Sequence, residues 1–559
     1  KDRSHFGSRL PSPALGPRPF LQGAMLGRPG MTGNRQKPPI RFRALEKVKV
    51  RPPSLVQICL KRVAENFLSY NNLHNKLGRK QLEDVYAMLD LDMLLPEAAT
   101  RIWDENYWKR RTQTKHRNAQ VEKHGMSWKQ TFLELELQDV LEKLPITVEY
   151  GSPELEALKQ QVNASRLHIF QLQIGQFPSH IDLSFIFDAL PALCSFAITY
   201  GNRRLGMDYE RAMFGMKISD AQYLARNVRV SQTLVSLSLP CNMVDDELVK
   251  VLMGGLSYGH MLTNLDLSHN KIGDRGARRL ASLLDPDYCL QALDLHDNLI
   301  HANGCMHLGA HLAENMTCQV LNLRLNRCED NGVSHLFQDM CVNKYLKTLN
   351  LSCNDLTVRC LPYMNSMLSE NATLTELDLS ANPLHQADEE GAMGSGGAVG
   401  SDATATLRPE AHGATAGGAA GGVVSGATAE RTLGASELEL LEEGIGGVGP
   451  SSPLGVFARN VVHSPSLLRI DVRQCGLPPE LAERICSAVK RRDLRAKGIP
   501  VEAYERSKLQ QIEEQEQNEE DAEEAAGEGE GAEGEEGEGE GVERAEEGEQ
   551  EEPPNEEEK

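Results

Sequence analysis

The stretch that decides the fold is Leu290-Gln291-Ala292-Leu293-Asp294-Leu295-His296-Asp297-Asn298. Its three leucines stand eight, five and three residues before the closing asparagine. The same frame returns every 28 residues, with asparagines at Asn242, Asn270, Asn298, Asn326, Asn354 and Asn382. Five residues before each lies Leu237, Leu265, Leu293, Leu321, Leu349 or Leu377, and three before lies Leu239, Leu267, Leu295, Leu323, Leu351 or Leu379. Eight before, the series is Leu234, Leu262, Leu290, Cys318, Leu346 and Leu374, with Cys318 the one departure. Six copies in one register are not a chance arrangement.

Each slot has a physical meaning. Alternating L-x-L is a short strand with one buried face. The asparagine ends that strand in a tight turn. Its amide both donates and accepts, so a stack of such side chains can satisfy backbone groups that burial would orphan. The second half of each copy reads as a helix. Asp246, Asp274 and Asp330, four residues after the asparagine, are expected N-caps. Leu280, Leu308 and Leu336, then Leu256, Leu284, Leu312 and Leu368, form the expected inward stripe. The pattern L-x-x-L-x-L-x-x-N is the leucine-rich repeat. A 28-residue period with a full helix resembles the ribonuclease-inhibitor class of that repeat. The resemblance implies an α/β solenoid, a horseshoe with a parallel sheet inside and helices outside.

Degenerate copies flank the run. Upstream, Leu167-x-x-Phe170-x-Leu172 and Leu193-x-x-Phe196-x-Ile198 fit the frame. Downstream, Leu467-x-x-Ile470-x-Val472-x-x-Cys475 fits with cysteine in the asparagine slot. The expectation is eight or nine repeats, closed by a helix over about 479–491. Ile198 to Leu239 exceeds one period by 13 residues, so a loop is inserted there.

Six segments follow. Residues 1–53 read as a disordered basic arm rich in Pro, Gly and Arg. Residues 54–150 read as a helical domain. Ser54 and Gln57 offer a capping box at its start, Ile58, Cys59, Val63 and Phe67 follow at helical spacing, and Trp103, Trp108 and Trp128 suggest an aromatic core. Residues 160–385 hold the repeats. Residues 386–450 read as a flexible insertion, since 388–449 contain 16 Gly and 12 Ala, with a short helix about 436–443. Residues 451–495 carry the final repeat and cap, and 496–559 a charged helix and a disordered acidic tail.

Charge follows the same division. The 559 residues carry 59 basic and 80 acidic side chains, a formal net of −21. Residues 513–559 hold 24 acidic and 2 basic side chains, a net of −22, so everything before them sums to about +1. Residues 1–53 hold 12 basic and 2 acidic side chains. The acidic balance therefore describes a tail, and the arm is the better candidate for an anionic partner. No run approaches the roughly 18 apolar residues of a membrane-spanning helix, and no secretory signal is expected. The 12 cysteines include no C-x-x-C pair and read as reduced, small apolar residues.

Candidate binding residues come from the strand positions that face the open side of the sheet. Four before each asparagine stand Ser238, Asp266, Asp294, Asn322, Asn350 and Asp378; two before stand Pro240, Ser268, His296, Arg324, Ser352 and Ser380. Asp266, Asp294, His296, Asn322, Arg324, Asn350 and Asp378 are the expected protein-binding set, suited to a basic or mixed segment. The competing reading is an ordinary solvated sheet face. His307 and His311 lie four apart with His301 and Cys305 nearby, but no carboxylate signature accompanies them, so no metal is expected. No phosphate-cradling loop and no catalytic Ser/His/Asp or Cys/His arrangement stands out, so no catalysis and no cofactor are expected. Lys109-Arg110-Arg111 beside Trp108 could face an anionic surface, nucleic acid or microtubule, or could be a solvated helix face.

The domain order resembles a known family. A basic N-terminal segment, a helical block with Leu94-Leu95-Pro96-Glu97 and Glu105-Asn106-Tyr107-Trp108-Lys109-Arg110-Arg111, then 28-residue repeats, together resemble the leucine-rich-repeat subunit 5 family of the nexin–dynein regulatory complex. That family is also called t-complex-associated testis-expressed protein 1. The resemblance covers about residues 40–385 and 455–495. The Gly/Ala insertion and Glu/Gly tail depart from a compact version of the family and suggest an algal or protist lineage. The resemblance implies a non-enzymatic subunit of the ciliary axoneme, partnered by other subunits of that complex and by doublet microtubules or dynein arms. It implies no nucleic acid and no membrane partner. Two other classes share features. Ran-type GTPase activators combine this repeat with an acidic C-terminus but lack the helical block. The Leu95-Pro96-Glu97 to Trp108 stretch is faintly F-box-like, which would suit a ubiquitin-ligase substrate adaptor.

Overall fold

The computed structural model describes residues 53–202, 213–259, 261–385 and 447–502, with 504, 506 and 507. The basic arm, the expected helix about 436–443 and the acidic tail lie outside the described residues. The expected capping box at the start of α1 (Leu55–Glu65) is present: the Ser54 N–H donates to Gln57 Oε1 at 2.8 Å and the Gln57 N–H to Ser54 Oγ at 3.2 Å. The helical spacing of Ile58 and Cys59 does not mark a core, since both are exposed.

Helices α2 (Arg79–Met88), α3 (Leu95–Arg101), α4 (Glu105–Lys115), α5 (Trp128–Glu142) and α6 (Pro153–Ser165) follow. Tyr107, Trp108 and Phe132 form their aromatic core, and the Trp108 indole donates to the Ile102 carbonyl at 3.1 Å. The expectation for Trp103 is corrected, because its ring is 58% exposed. The basic run is turned inward. Arg110 donates to the Tyr86 and Ala87 carbonyls at the end of α2, and Arg111 to the Met93 carbonyl at 2.7 Å. Loose carbonyls at a helix C-terminus attract the Arg110 cation, and the Arg111 cation is held by a loop carbonyl before α3, so two of these charges are occupied with folding.

Nine parallel strands then form one sheet in sequence order. They are β1 (Gln171–Phe177), β2 (Ser195–Tyr200), β3 (Ser236–Ser238), β4 (Asn264–Asp266), β5 (Ala292–Asp294), β6 (Val320–Asn322), β7 (Thr348–Asn350), β8 (Glu376–Asp378) and β9 (Arg469–Asp471). Leucines pair with leucines 28 residues on, from Leu237↔Leu265 to Leu349↔Leu377. This is the leucine-rich-repeat solenoid expected from the sequence. One register is corrected. Leu172, not Phe170, pairs with Phe196, so the first copy reads Ile169-x-x-Leu172-x-Ile174. Leu167 and Phe170, mistaken for core positions, are 63% and 41% exposed, whereas Ile169 and Ile174 are buried.

The helices between strands are α7 (Ser184–Ala189), α8 (Ile218–Val230), α9 (Asp246–Leu256), α10 (Asp274–Ala281), α11 (Ala302–Glu314), α12 (Glu329–Val342), α13 (Leu361–Glu370) and α14 (Pro453–His463), and α15 (Pro479–Ala496) follows β9. All seven leucines of the expected inward stripe are buried. The 386–446 segment falls between the turn after β8 and its helix, α14. The stack is continuous from one side of that segment to the other: Asn365 Nδ2 on α13 donates to the Pro453 carbonyl at 3.2 Å, and β9 pairs with β8 in register.

Edge strands expose unpaired backbone groups and need cover. Beside β1, Glu134 of α5 accepts from the Phe170 and Gln171 N–H groups, both at 3.0 Å, and Glu142 accepts from the Gly175 N–H at 2.8 Å. At the other end α15 packs against β9, and its Arg492 donates to the Leu467, Val461 and Val462 carbonyls.

Candidate functional site: the open face of the sheet

The turn after each strand sets the site. The residue before each asparagine, and before Cys475 in the last copy, is left-handed, with φ between 53° and 58° at Cys241, His269, Asp297, Leu325, Cys353, Ala381 and Gln474. This backbone costs a residue with a Cβ about 1 kcal/mol or more, so something must over-determine it. The buried asparagines do so. Asn326 Nδ2 donates to the Leu295 and Leu323 carbonyls at 2.9 and 3.0 Å, and its Oδ1 accepts from the Ile300 N–H at 3.1 Å. Asn298 and Asn270 repeat the pattern, and Asn382 Oδ1 accepts from the Asn354 and Leu356 N–H groups. Asn354 Oδ1 accepts from the Cys328 N–H, while Asn242 Nδ2 donates to Ile198 O at 2.7 Å. At the last turn Cys475 Sγ lies 3.1 Å from the Leu379 carbonyl, standing where an amide would.

The expected aspartate N-caps are corrected. Asp246 and Asp274 do not cap their own helices; each caps the next one. Asp274 Oδ1 accepts from the His301 and Gly304 N–H groups at 2.8 and 2.9 Å, and Asp246 Oδ1 from Gly273 and Gly276 at 2.8 and 2.9 Å. Asp330 accepts from the Thr357 N–H at 2.7 Å. The carboxylate reaches so close because the third helical residue is glycine. A Cβ on Gly304 would sit 2.7 Å from Asp274 Oδ1. The column Gly276, Gly304, Gly332 at 28-residue spacing was the available signal. A second asparagine stack was also missed. Asn315, Asn343 and Asn371 close the turns after the helices, each accepting from N–H groups two and three residues on and donating to a carbonyl of the previous repeat.

On the open face, the structure links the candidate residues in short chains rather than one cluster. Asp266 accepts from Ser238 Oγ at 2.6 Å and from the Ser268 N–H at 3.0 Å. Asp294 accepts from Asn322 Nδ2 at 3.1 Å and pairs with His296 Nδ1 at 2.7 Å. Asp378 accepts from Asn350 Nδ2 at 3.0 Å and from Ser380. Arg324 is exposed. His269, absent from the candidate set, lies 2.9 Å from His296. Toward β9 the face deepens into an open groove of about 1060 Å³, lined by Asn350, Asp378, Asp471, Lys490 and Lys497 among others. His311, by contrast, pairs with Asp285 at 2.6 Å, and Cys305 is buried. Among the described residues no group of three or more His, Cys, Asp or Glu side chains converges on a point, and no helix is long and apolar enough to cross a membrane.

A leucine-rich-repeat family model matches residues 260–281 and 342–359. The chain is 38% identical over 198 residues to dynein regulatory complex subunit 5 of Chlamydomonas reinhardtii, covering 35% of this chain and 50% of the relative. It is 30% identical over 232 residues to the mouse protein of the same name, covering 36% and 46%. Among solved structures, the actin-binding site 2 of leiomodin-1 covers 44% of this chain and 96% of that one at 13% identity and a TM-score of 0.24. An internalin from Listeria monocytogenes covers 42% and 66% at 16% identity and a TM-score of 0.23. Scores that low carry no functional argument. The chain spans about half the length of the curated relatives it matches. Over that half, this leucine-rich-repeat chain is similar to proteins named dynein regulatory complex subunit 5.

Proposed function

We propose that the protein is a non-enzymatic subunit of the dynein regulatory complex in the axoneme of motile cilia. It serves there as a protein-binding scaffold in the linker between doublet microtubules and helps regulate dynein-driven motility. The observation that carries this reading is the 38% identity to the algal subunit over 198 residues. The architecture supports it, since an open, polar sheet face on a rigid solenoid suits recognition of another chain. The polar column is tied along the sheet by Asp266, Asp294, Asn322, Asn350 and Asp378, with His296 and Arg324 as the cationic or hydrogen-bonding members. Its partners are other subunits of that complex, with doublet microtubules or dynein arms as further contacts. No matched relative supports a Ran-type GTPase activator or a ubiquitin-ligase adaptor.

Crosslinking mass spectrometry on axonemes from cells carrying the tagged chain tests this. Crosslinks from the 236–380 strands and turns to other subunits of the complex are expected. A chain that stays in the cell body, absent from axonemes, overturns the reading.

A further inference from the structure

Two imidazoles face each other on the open sheet face. His269 Nε2 and His296 Nε2 are 2.9 Å apart, with ring centroids at 4.4 Å and planes at 79°. Each ring's other nitrogen is held by a carboxylate: His269 Nδ1 lies 2.6 Å from Asp297 Oδ2, and His296 Nδ1 lies 2.7 Å from Asp294 Oδ1. A carboxylate at Nδ1 accepts a hydrogen bond from the Nδ1–H, which keeps the proton there and leaves the Nε2 lone pair outward. Two such lone pairs in contact repel unless a cation stands between them, either a proton or a metal ion.

We propose that His269 and His296 form a binding site for a borderline divalent transition metal, with zinc the class that fits best. The geometry is that of ligating histidines, whose second nitrogen almost always donates to a carboxylate, carbonyl or water that fixes ring and tautomer. Opening the pair by about half an ångström brings both nitrogens to zinc–nitrogen distance, about 2.0–2.1 Å, at a tetrahedral angle. The backbone holds the two rings from different repeats. His269 sits in the left-handed turn position after β4, and its N–H donates to the His296 carbonyl at 2.9 Å. The surrounding charge is negative on balance, with Asp266, Asp294 and Asp297 close by and Arg324 next along the column of His296. The chain supplies two ligands, and the remaining positions open to the side from which a bound chain would approach. The inference stands independently of the proposed function.

Isothermal titration of zinc into the full chain, stripped with chelator, tests it against His269→Gln/His296→Gln. The wild type is expected to bind one more zinc per chain than the double variant. Asp294→Asn and Asp297→Asn should each weaken that zinc by about ten- to a hundredfold through loss of the orienting carboxylate. With copper(II) as probe, nitrogen hyperfine lines from two imidazoles should be lost in the double variant. Equal zinc stoichiometry and affinity in wild type and double variant overturns the proposal and leaves a shared proton only. If the double variant melts far below wild type, Asp297→Asn decides: unchanged zinc affinity there, with wild-type melting, overturns it.

Discussion

Asn326 is a buried side chain that no apolar residue could replace, because it closes three backbone groups at once. Asn326→Ala orphans them, at roughly 1–3 kcal/mol for unsatisfied buried groups. Chemical denaturation should show a lower midpoint for the whole array; a midpoint equal to wild type removes the stack as a stabilising device. Lys129 makes the opposite case. It is 3% exposed, its Nζ stands 4.0 Å above the Trp103 ring, and no hydrogen bond satisfies it. Burial pulls its pKa down from 10.5 to about 8, with Glu105 pulling it partly back. The unfolded chain therefore holds this proton more tightly than the folded one. Stability should rise as pH climbs from about 8 to 10.5, where the unfolded state still binds the proton and the folded state has lost it. Lys129→Met keeps the aliphatic stem and drops the charge. Thermal melts at pH 7 should show a gain of about 1–3 kcal/mol, smaller if the cation–π contact compensates more of the burial. A loss of stability would show that the Trp103 contact outweighs the desolvation.

At the scale of the element, periodicity made strand and turn legible and left the helix start misread. A leucine in a fixed slot reports burial, and burial is local enough to read from spacing. An aspartate in a fixed slot reports only that some N–H group needs an acceptor. Asp274 serves α11 rather than α10, because stacking places the next helix's first turn directly over it, and Gly304 clears the approach. Asp274→Ala should therefore destabilise α11 by about 1 kcal/mol, the usual worth of a lost cap. Hydrogen exchange should rise at His301 and Gly304 while α10 stays protected; faster exchange confined to α10 would return the cap to its own helix. The first repeat was misread for a related reason. Leu167, Phe170 and Leu172 fit the motif by type, yet the pairing of Leu172 with Phe196 shifts the frame by two residues. Strand alternation has period two, so such a shift preserves the apolar pattern and only a neighbouring strand can expose it. The Gly/Ala-rich insertion lies outside the described residues, and its composition offers little to bury. Deletion of residues 390–430 should leave the melting temperature unchanged, because α13, α14 and the β8–β9 pair already meet without it. A large fall in melting temperature would show that the segment contributes packing.

Across the whole array each repeat touches only its neighbours, so damage and binding energy both spread along the stack. The open face is built from side chains that also hold the strands, which the sequence could not separate. Asp266 and Asp294 looked like free surface charges, yet each carries hydrogen bonds within and between strands. Reversing both to lysine would mix a folding cost with any binding cost. Arg324→Glu is the cleaner change. Arg324 is exposed and stands two residues after Asn322, the last residue of β6, and its backbone joins the local turn: its N–H donates to Asn322 Oδ1 and its carbonyl accepts from the Asp297 N–H and Asn326 Nδ2. Surface changes of this kind usually stay within about 0.5 kcal/mol, so folding should survive. A partner that meets this cation with an acidic group should be repelled, because like charge across an interface costs several kcal/mol. In a ciliated cell lacking the endogenous protein, Arg324→Glu should accumulate at the wild-type level, assemble poorly on the axoneme and impair swimming while cilium length stays near normal. The added Lys of a compensating partner change should restore assembly. Full incorporation with normal beating would move the docking surface off the sheet, to the helices on the other side or to the exposed Trp103 beside α5.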